Sequence, residues 1–174
     1  MGLVEASIGA SRLIAEHSPD AILLVGTAGV YPEFSAELAL GTAVVADKIA
    51  LLPEVLPGRH AFLPAILPSS EKSSRALVHA LRKFTALPCA DIACPLGITA
   101  TTKAAAAAGK LSGCALENLE AFAVARAAAV AKIPFAAVLG IANHVGPAGH
   151  REWKKHAKKA AAAACRAILA LLEK

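Results

Sequence analysis

Aromatic side chains are scarce in this chain: Phe, Tyr and Trp make up 4% of its 174 residues, and there is a single Trp. A chain of this length can form one domain with a real core. That core must be built from Ala, Val, Leu and Ile, because the sequence is 56% hydrophobic. Small side chains of this kind suit close packing of helices against a sheet.

The sequence also lacks the usual signs of a metal site, a leader or a membrane span. Its four cysteines include Cys89 and Cys94, but no second Cys pair and no His-x-His motif completes a zinc site. We interpret the cysteines as buried free thiols in a reducing compartment. No secretory leader opens the chain, and no apolar run is long enough to cross a bilayer. We therefore expect a cytoplasmic protein without a metal, a cofactor or a membrane partner.

Positive charge is in modest excess: the chain has 18 Lys and Arg residues and 13 Asp and Glu residues, which makes the formal net charge +5. Much of the excess lies in residues 151–159, which read R-E-W-K-K-H-A-K-K. Such a run can form a phosphate or nucleic-acid patch, or simply a solvated helix face. We favour the solvated face, because no aromatic interleaving or nucleic-acid motif accompanies the charges. No nucleic-acid partner is expected.

Helical and strand-like patterns alternate along the chain. The apolar spacing and the helix caps predict helices at residues 3–17, 69–83, 119–131 and 153–173. Short apolar or β-branched runs predict strands at residues 21–25, 41–48, 98–102 and 135–141, with an irregular segment or short strand at 88–95. Residues 53–70 contain four prolines and are predicted to be a loop or sheet edge.

This alternation predicts one α/β domain spanning residues 1–174, with a mixed, mostly parallel sheet covered by helices on both faces. Ligands in such sheets gather at the carboxyl ends of the strands. Three segments are predicted to lie at such ends: the small-residue loop at 26–29, residues 99–103, and residues 143–146. Their convergence is the strongest functional indication from the pattern alone.

Two motifs place chemistry near these ends. Residues 116–126 read L-E-N-L-E-A-F-A-V-A-R, and residues 133–146 read I-P-F-A-A-V-L-G-I-A-N-H-V-G. The first places Glu120 at the start of a helix, and the second places Asn143 just past a strand. A carboxylate can accept hydrogen bonds from two hydroxyls, and an amide can bind a heterocycle. Together they are typical of a nucleoside site.

The motifs resemble those of the nucleoside phosphorylase and nucleosidase superfamily, and within it most closely those of the futalosine hydrolases. The first matches an E-N-M-E-G motif, and the second matches S-N-x-V-G followed by a tryptophan. Residues 19–29 (P-D-A-I-L-L-V-G-T-A-G) match the strand and G-[S/T]-A-G loop of the superfamily. The resemblance implies a phosphorylase-like three-layer sandwich. It also implies a nucleosidase that releases hypoxanthine from futalosine in menaquinone biosynthesis, with a small-molecule nucleoside as partner.

The same resemblance implies roles for particular residues. Glu120 would accept hydrogen bonds from the ribose hydroxyls, and Asn143 would bind a 6-oxopurine. The other implied contacts are Thr27, Ala28 and Gly29 on the sugar or water side, Thr101, Leu119 in place of the usual methionine, His144 and Trp153.

Structural interpretations stand beside these roles. Glu117 is interpreted as a first-turn acid favoured by the helix dipole, and Glu120 could be another such acid. Asn143 could cap a loop before a glycine. Trp153 could anchor the last helix instead of covering a ligand, and His144 could be a peripheral or exposed residue.

The sequence departs from the resemblance in two places. Three opening strands, which carry the acid that activates water in the nucleosidases, have no match before Gly2, so we expect an N-terminally shortened member. The sheet edge that this exposes predicts a homo-oligomer. Residues 140–142 lack the arginine that helps phosphorylases bind phosphate, which weakly favours hydrolysis. A purine nucleoside phosphorylase and a catalytically impaired nucleoside-binding protein remain alternatives.

Overall fold

A computed structural model describes residues 2–52 and 68–173. Most of the segment predicted as a loop or sheet edge, residues 53–70, lies outside this part of the chain. Within it there are five α-helices: α1 (Leu3–His17), α2 (Arg75–Thr85), α3 (Thr102–Ser112), α4 (Ala121–Val130) and α5 (Gly149–Leu172). The six strands are β1 (Ile22–Val30), β2 (Ala43–Leu52), β3 (Ser70–Lys72), β4 (Cys89–Pro95), β5 (Leu116–Glu117) and β6 (Phe135–His144).

The strands form one mixed sheet in the order β3-β2-β4-β5-β1-β6, and β2 also pairs with β6. The two longest ladders, β1 with β6 and β2 with β4, are parallel. The pairs β1–β5, β2–β3 and β2–β6 are antiparallel. The short strand β5 covers only Gly29 and Val30 of β1. The α/β class with a mixed sheet is therefore confirmed.

Helices cover the sheet on two faces. On one face, α4 packs with sheet residues of β1, β4 and β6 in an aliphatic core that includes Phe122, Leu116 and Ile141, and α1 packs against α4. On the other face, α5 and α2 cover a core that includes Val45, Val138 and Leu81. Alanines supply much of both cores, as the scarcity of aromatic residues predicts, because small side chains let helices approach the sheet closely.

Two predicted strands are longer than their sequence patterns indicate. β1 continues through Gly26 and Gly29 to Val30, and β6 continues through Asn143 to His144. The small-residue segment at 26–29 is therefore strand and not loop. Its backbone pairs in register with β6, with an irregularity between Ala28 and Gly29. Pairing with a buried neighbour outweighs the turn propensity of glycine.

The predicted strand at residues 98–102 is wrong. Residues 98–101 form a loop that leads into α3, and Thr101 caps that helix by accepting a 3.1 Å hydrogen bond from Ala104 N. Threonine is β-branched, but its hydroxyl also makes it a good N-cap, and here the capping preference prevails. The helix predicted from residue 69 begins later, at Arg75, because Ser70–Lys72 pair with β2.

Two further expectations can be compared with the structure. Cys94 and Cys114 are buried free thiols, whereas Cys89 and Cys165 are exposed, so the interpretation of all four as buried is wrong for two of them. Over residues 2–52 and 68–173, no helix is long and apolar enough to cross a membrane.

Candidate functional site

The candidate site is organised around a row of residues that crosses three neighbouring strands. Gly29 on β1 pairs with Glu117 on β5 and with Asn143 on β6. Adjacent strands lie about 4.8 Å apart, so Glu117 and Asn143 are separated by about 10 Å across the sheet. A carboxylate and an amide thus flank one glycine near the carboxyl ends of β1 and β6.

Glu117 is the buried acid of this row, with 7% of its surface exposed. Its carboxylate accepts three hydrogen bonds: from Tyr31 Oη at 2.9 Å, from Thr99 Oγ1 at 2.6 Å and from Thr99 N at 3.1 Å. Burial, followed by the negative charge of Glu117, raises the pKa of Tyr31, so the phenol stays a donor. The interpretation of Glu117 as a first-turn helix acid is wrong: it ends a strand and ties three segments together.

Replacing Tyr31 with phenylalanine is expected to destabilise the protein by about 1.5–3 kcal/mol, the usual range for a hydrogen bond to a charged group. The ring keeps its volume, but the buried Glu117 carboxylate loses one of its three donors. Urea unfolding would measure the change as a lower midpoint at an unchanged slope. A loss below about 0.5 kcal/mol would mean that this bond contributes little to the buried network.

Asn118 connects the sheet to the start of α4. Its Nδ2 donates to Thr27 O at 3.0 Å, and its Oδ1 accepts from Glu120 N at 2.9 Å and Ala121 N at 2.7 Å. The amide therefore caps the helix while it is fixed to β1. This arrangement sets the position of the Glu120 backbone relative to Thr27.

Glu120 itself is half-buried, and its carboxylate is not used by the fold. It makes no capping bond to α4 and has no hydrogen-bond or ion-pair partner among the described residues. The nearby Cys94 Sγ accepts a 3.3 Å hydrogen bond from Phe122 N, and burial raises the pKa of this thiol to about 12. The thiol is therefore neutral. The Glu120 carboxylate, which has no partner among the described residues, can accept hydrogen bonds from a ligand.

Asn143 is held between two glycines. A Cβ at Gly29 would lie 2.8 Å from Asn143 Nδ2, and a Cβ at Gly149 would lie 3.1 Å from the same atom. Asn143 Nδ2 also donates to His144 O at 2.9 Å. A primary amide has two N–H bonds and a carbonyl oxygen, so one donor and the acceptor remain for a ligand.

Changing Gly29 to alanine is expected to displace the Asn143 side chain. The new Cβ would also come within 2.9 Å of Val145 Cγ2, so neither neighbour leaves room for it. We expect a loss of about 1–3 kcal/mol in unfolding free energy, as is usual for overpacking, and a shifted NMR signal of the Asn143 amide. Gly26→Ala is the matched control on the same strand, because its Cβ would meet only Leu139 Cδ2 at an ordinary 3.4 Å. An unmoved Asn143 signal in the Gly29 variant would contradict the prediction.

Trp153 lies beside the same strand. Its Nε1 donates to Thr27 Oγ1 at 3.1 Å, and its ring stacks on His150 with centroids 6.3 Å apart. Trp153 is 44% exposed, so part of this residue stays accessible next to Thr27. Trp153 thus anchors α5 to β1 and can also cover a ligand, and both interpretations fit its position.

His144 is used to join β6 to α5. Its backbone N donates to Glu152 Oε2 at 2.8 Å, and its ring Nδ1 lies 3.0 Å from the same oxygen. Burial alone would raise the pKa of Glu152, but the hydrogen bonds and charge of His144 outweigh it, and the pKa is lowered. His144 is therefore held at the end of β6 by its two contacts with the Glu152 carboxylate.

The structure brings together most of the residues singled out from the sequence. Thr27 contacts Trp153, Gly29 adjoins Asn143, and Glu120 is tied to Thr27 through Asn118. Ala28 and Leu119 lie beside these residues in the chain. Thr101 is different, because its hydroxyl caps α3, and Thr99 is the residue of that loop whose side chain reaches the row.

Two further residues of the site, Tyr31 and Asn118, were given no role from the sequence, while Thr99 was named only within the segment 99–103 and Glu117 only as a helix acid. Asn118 carried a usable signal, since an Asn just before a helical pattern is a common cap. Tyr31 carried none, because it meets Glu117 across 86 positions of chain.

Comparison with known families supplies an independent finding. The family model described as the Phosphorylase superfamily matches residues 1–173. No curated protein matches the chain in sequence.

Solved structures show a similar fold at low sequence identity. A 5'-methylthioadenosine/S-adenosylhomocysteine nucleosidase from Neisseria meningitidis, in complex with methylthio-immucillin-A, has a TM-score of 0.87 and 18% identity, and the match covers 99% of this chain and 77% of that one. The corresponding enzyme from Colwellia psychrerythraea, in complex with adenine, has a TM-score of 0.87 and 20% identity over 99% and 74% of the two chains. The futalosine hydrolase of Helicobacter pylori has a TM-score of 0.89 and 13% identity over 99% and 76%. At these identities the likeness establishes the fold.

Proposed function

We propose that this chain, which belongs to the Phosphorylase superfamily, is a nucleosidase that hydrolyses the N-glycosidic bond of a purine nucleoside. The observation that carries the proposal is the Glu120 carboxylate at the start of α4, which has no partner in residues 2–52 and 68–173 and is held close to the strand whose Gly29 adjoins the Asn143 amide. Nucleosidases among the solved structures of the same fold support this reaction class.

Glu120 would hold the ribose. Its carboxylate can accept hydrogen bonds from two adjacent hydroxyls at once, and such charge-assisted bonds are stronger than neutral ones. As the glycosidic bond breaks, the sugar gains positive charge, and a nearby carboxylate stabilises that charge. The Asn118 cap would keep Glu120 in place during this step.

Asn143 would bind the purine. The bond between the sugar and the purine breaks with its electron pair moving into the base, so a donor near N7 or O6 stabilises the transition state. Asn143 retains one N–H for this purpose, and its amide cannot transfer a proton as a carboxylic acid can. A 6-oxopurine such as hypoxanthine fits this donor, and solvent would supply the proton that the departing base takes up.

The attacking water would lie beside Thr27, Ala28 and Gly29. Thr27 Oγ1 accepts from Trp153 Nε1, which leaves its own O–H free to donate to a water or to the sugar. The water adds to the anomeric carbon as the purine leaves, and it loses one proton to solvent, which balances the proton that the purine takes up. Trp153, which is partly exposed, would cover the nucleoside from the α5 side.

The specific substrate that we propose is futalosine, which would yield hypoxanthine and dehypoxanthinyl futalosine in menaquinone biosynthesis. The ground is the resemblance of the E-N-L-E motif at residues 117–120 to the futalosine hydrolases, together with the amide at 143, which suits a 6-oxopurine. The solved structures of the same fold include both adenosine-type nucleosidases and a futalosine hydrolase, so the base is the point to test.

The test is release of free purine from futalosine, inosine and 5'-methylthioadenosine, each with and without phosphate. We expect phosphate-independent hypoxanthine release from futalosine, lost in Asn143→Ala, which removes the amide. Adenine release from 5'-methylthioadenosine alone would overturn the substrate assignment but keep the reaction class. Strict dependence on phosphate would identify a phosphorylase instead.

A nucleoside-binding protein without catalysis is the second candidate, and one observation favours it. Among the described site residues, Glu117 and Glu152 are engaged by Tyr31, Thr99 and His144, so Glu120 is the one carboxylate left without a partner. If Glu120 holds the ribose, it is not available to activate water. Futalosine binding in calorimetry with no purine release would select this candidate.

A further inference from the structure

A second concave site lies at the other end of the sheet from the candidate site. The backbone N of Ser74, which precedes α2, donates to the O of Phe135 at 2.7 Å. Phe135 is the first residue of β6, whereas Asn143 is near its end. At about 3.3 Å per strand residue, the two places are about 26 Å apart. Whatever binds at the start of α2 is therefore separate from the nucleoside site.

The cavity at the start of α2 has a volume of about 200 Å³, enough for a small ion and its waters. Its lining carries more positive than negative groups: Asp47, Ser73, Arg75, Val78, His79 and Arg82. The basic residues recur at intervals of four and three along α2, so they share one face of the helix. Among the described lining residues, Asp47 carries the one carboxylate.

Ser73 is the unexplained residue of this cavity. It is 5% exposed, and its Oγ has no hydrogen-bond partner among the described residues. A buried hydroxyl without a partner is unfavourable by about 1–3 kcal/mol, so such groups in proteins usually face a ligand or an ordered water. Ser73 lines the cavity, and rotation about its Cα–Cβ bond could turn the enclosed Oγ towards a group placed there.

The helix beside Ser73 offers further donors. The side chain of Ser74 makes no capping hydrogen bond, so the first-turn N–H groups of α2 point outward without an intrahelical acceptor. The positive end of the helix dipole adds to the charge of Arg75. Donors of three kinds therefore surround the cavity: hydroxyl, backbone N–H and guanidinium.

We propose that this cavity binds a hydrogen-bearing phosphate ion. Guanidinium groups and helix N-termini are well matched to a tetrahedral oxyanion. Asp47 is unfavourable for an anion unless the anion carries a proton that the carboxylate can accept. Inorganic phosphate keeps such a proton near neutral pH, whereas sulfate does not. A phosphomonoester has a second pKa of about 6, so at neutral pH it has mostly lost its second proton.

The experiment is calorimetry of the full chain at pH 7.5 with inorganic phosphate, sulfate and phenyl phosphate at matched ionic strength. Phosphate is expected to bind about tenfold more tightly than either of the others, as one hydrogen bond to a charged group implies. Asp47→Asn is expected to abolish that preference. Equal or tighter binding of sulfate or phenyl phosphate by the wild-type chain would overturn the assignment to a protonated ion.

Variants of α2 locate the site. Arg75→Gln and Arg82→Gln are each expected to raise the phosphate Kd about tenfold, and Ser73→Ala about threefold. Lys83→Gln is the matched control, because it removes the same charge from the same helix but does not line this cavity. Its Kd should change less than about twofold. An equal effect of Lys83→Gln would mean general attraction to a basic helix and would overturn the proposal.

Amide NMR shifts distinguish this site from the nucleoside site. Phosphate should shift the signals of residues 75–77 in α2. Shifts confined to Thr27 and Gly29 would place the ion in the nucleoside site and overturn the proposal. No binding at about 10 mM phosphate, well above the usual KM values of enzymes, would overturn it as well. Neither the calorimetry nor the NMR shifts require the chain to release purine, so this proposal and the proposed function can fail independently.

Discussion

Glu120→Gln is expected to lower the rate of purine release by about 10²–10³-fold, because the ribose loses two bonds to a charged acceptor as positive charge develops on the sugar. The stability of the fold should hardly change, since the Glu120 carboxylate has no partner among the described residues. The measurement is kcat/KM with the preferred nucleoside, together with the melting temperature.

Two controls sharpen this prediction. Glu5→Gln removes the same charge from the first turn of helix α1 and should leave activity unchanged, with a loss of stability of at most about 0.3–1 kcal/mol from the helix dipole. Glu117→Gln, unlike Glu120→Gln, should lower the melting temperature, because three donors that suit a carboxylate would then meet an amide. An active Glu120→Gln variant would remove this residue from the reaction, whichever nucleoside is used.

Gly140→Ala is expected to destabilise the protein by about 3 kcal/mol or more, at the upper end of the range for overpacking. A Cβ at Gly140 would be driven into the backbone of α5: it would lie 2.9 Å from Ala160 Cα and closer still to the Ala160 carbonyl. Backbone atoms cannot rotate away as a side chain can, so α5 would have to move off the sheet. For a chain of this size the melting temperature should fall by about 6–12 °C.

Gly9→Ala is the matched control for Gly140→Ala. Gly9 lies in the middle of α1, and a Cβ there would meet nothing within 4 Å. Alanine favours a helix over glycine by about 0.5–1 kcal/mol, so this variant should melt at the same or a slightly higher temperature. A Gly140→Ala protein as stable as wild type would show that α5 can shift freely on β6.

Gly140 affects the candidate site through the packing of α5 on β6. Its lack of a side chain allows α5 to approach β6, and α5 carries Trp153 to Thr27. In the sequence, residues 140–142 were notable only because the segment lacks the arginine of the superfamily. The close approach of helix and strand gave no local signal, because it depends on residues 20 positions apart that meet only in the folded chain.

Local patterns in the sequence were sufficient for several elements. Apolar spacing placed α1 at its observed bounds, Leu3–His17, because the periodicity of a helix is a property of neighbouring residues. The buried strands β1 and β6 were recognised from continuous apolar runs. The motifs around Glu120 and Asn143 indicated a nucleoside site through their residue types, which do not depend on the fold.

The ends of elements and the roles of the polar residues depended on tertiary contacts. The Gly-Thr-Ala-Gly segment has turn propensity but becomes strand because β6 supplies hydrogen-bond partners from a distant part of the chain. Glu117 resembles a helix acid locally, yet Tyr31 and Thr99 convert it into a buried anchor. Sequence alone determined which chemical groups the protein carries and the layers in which they lie. Only the folded chain decided that Glu117 is used by the structure while Glu120 has no partner in the part of the chain described, because hydrogen bonds between distant residues make that distinction.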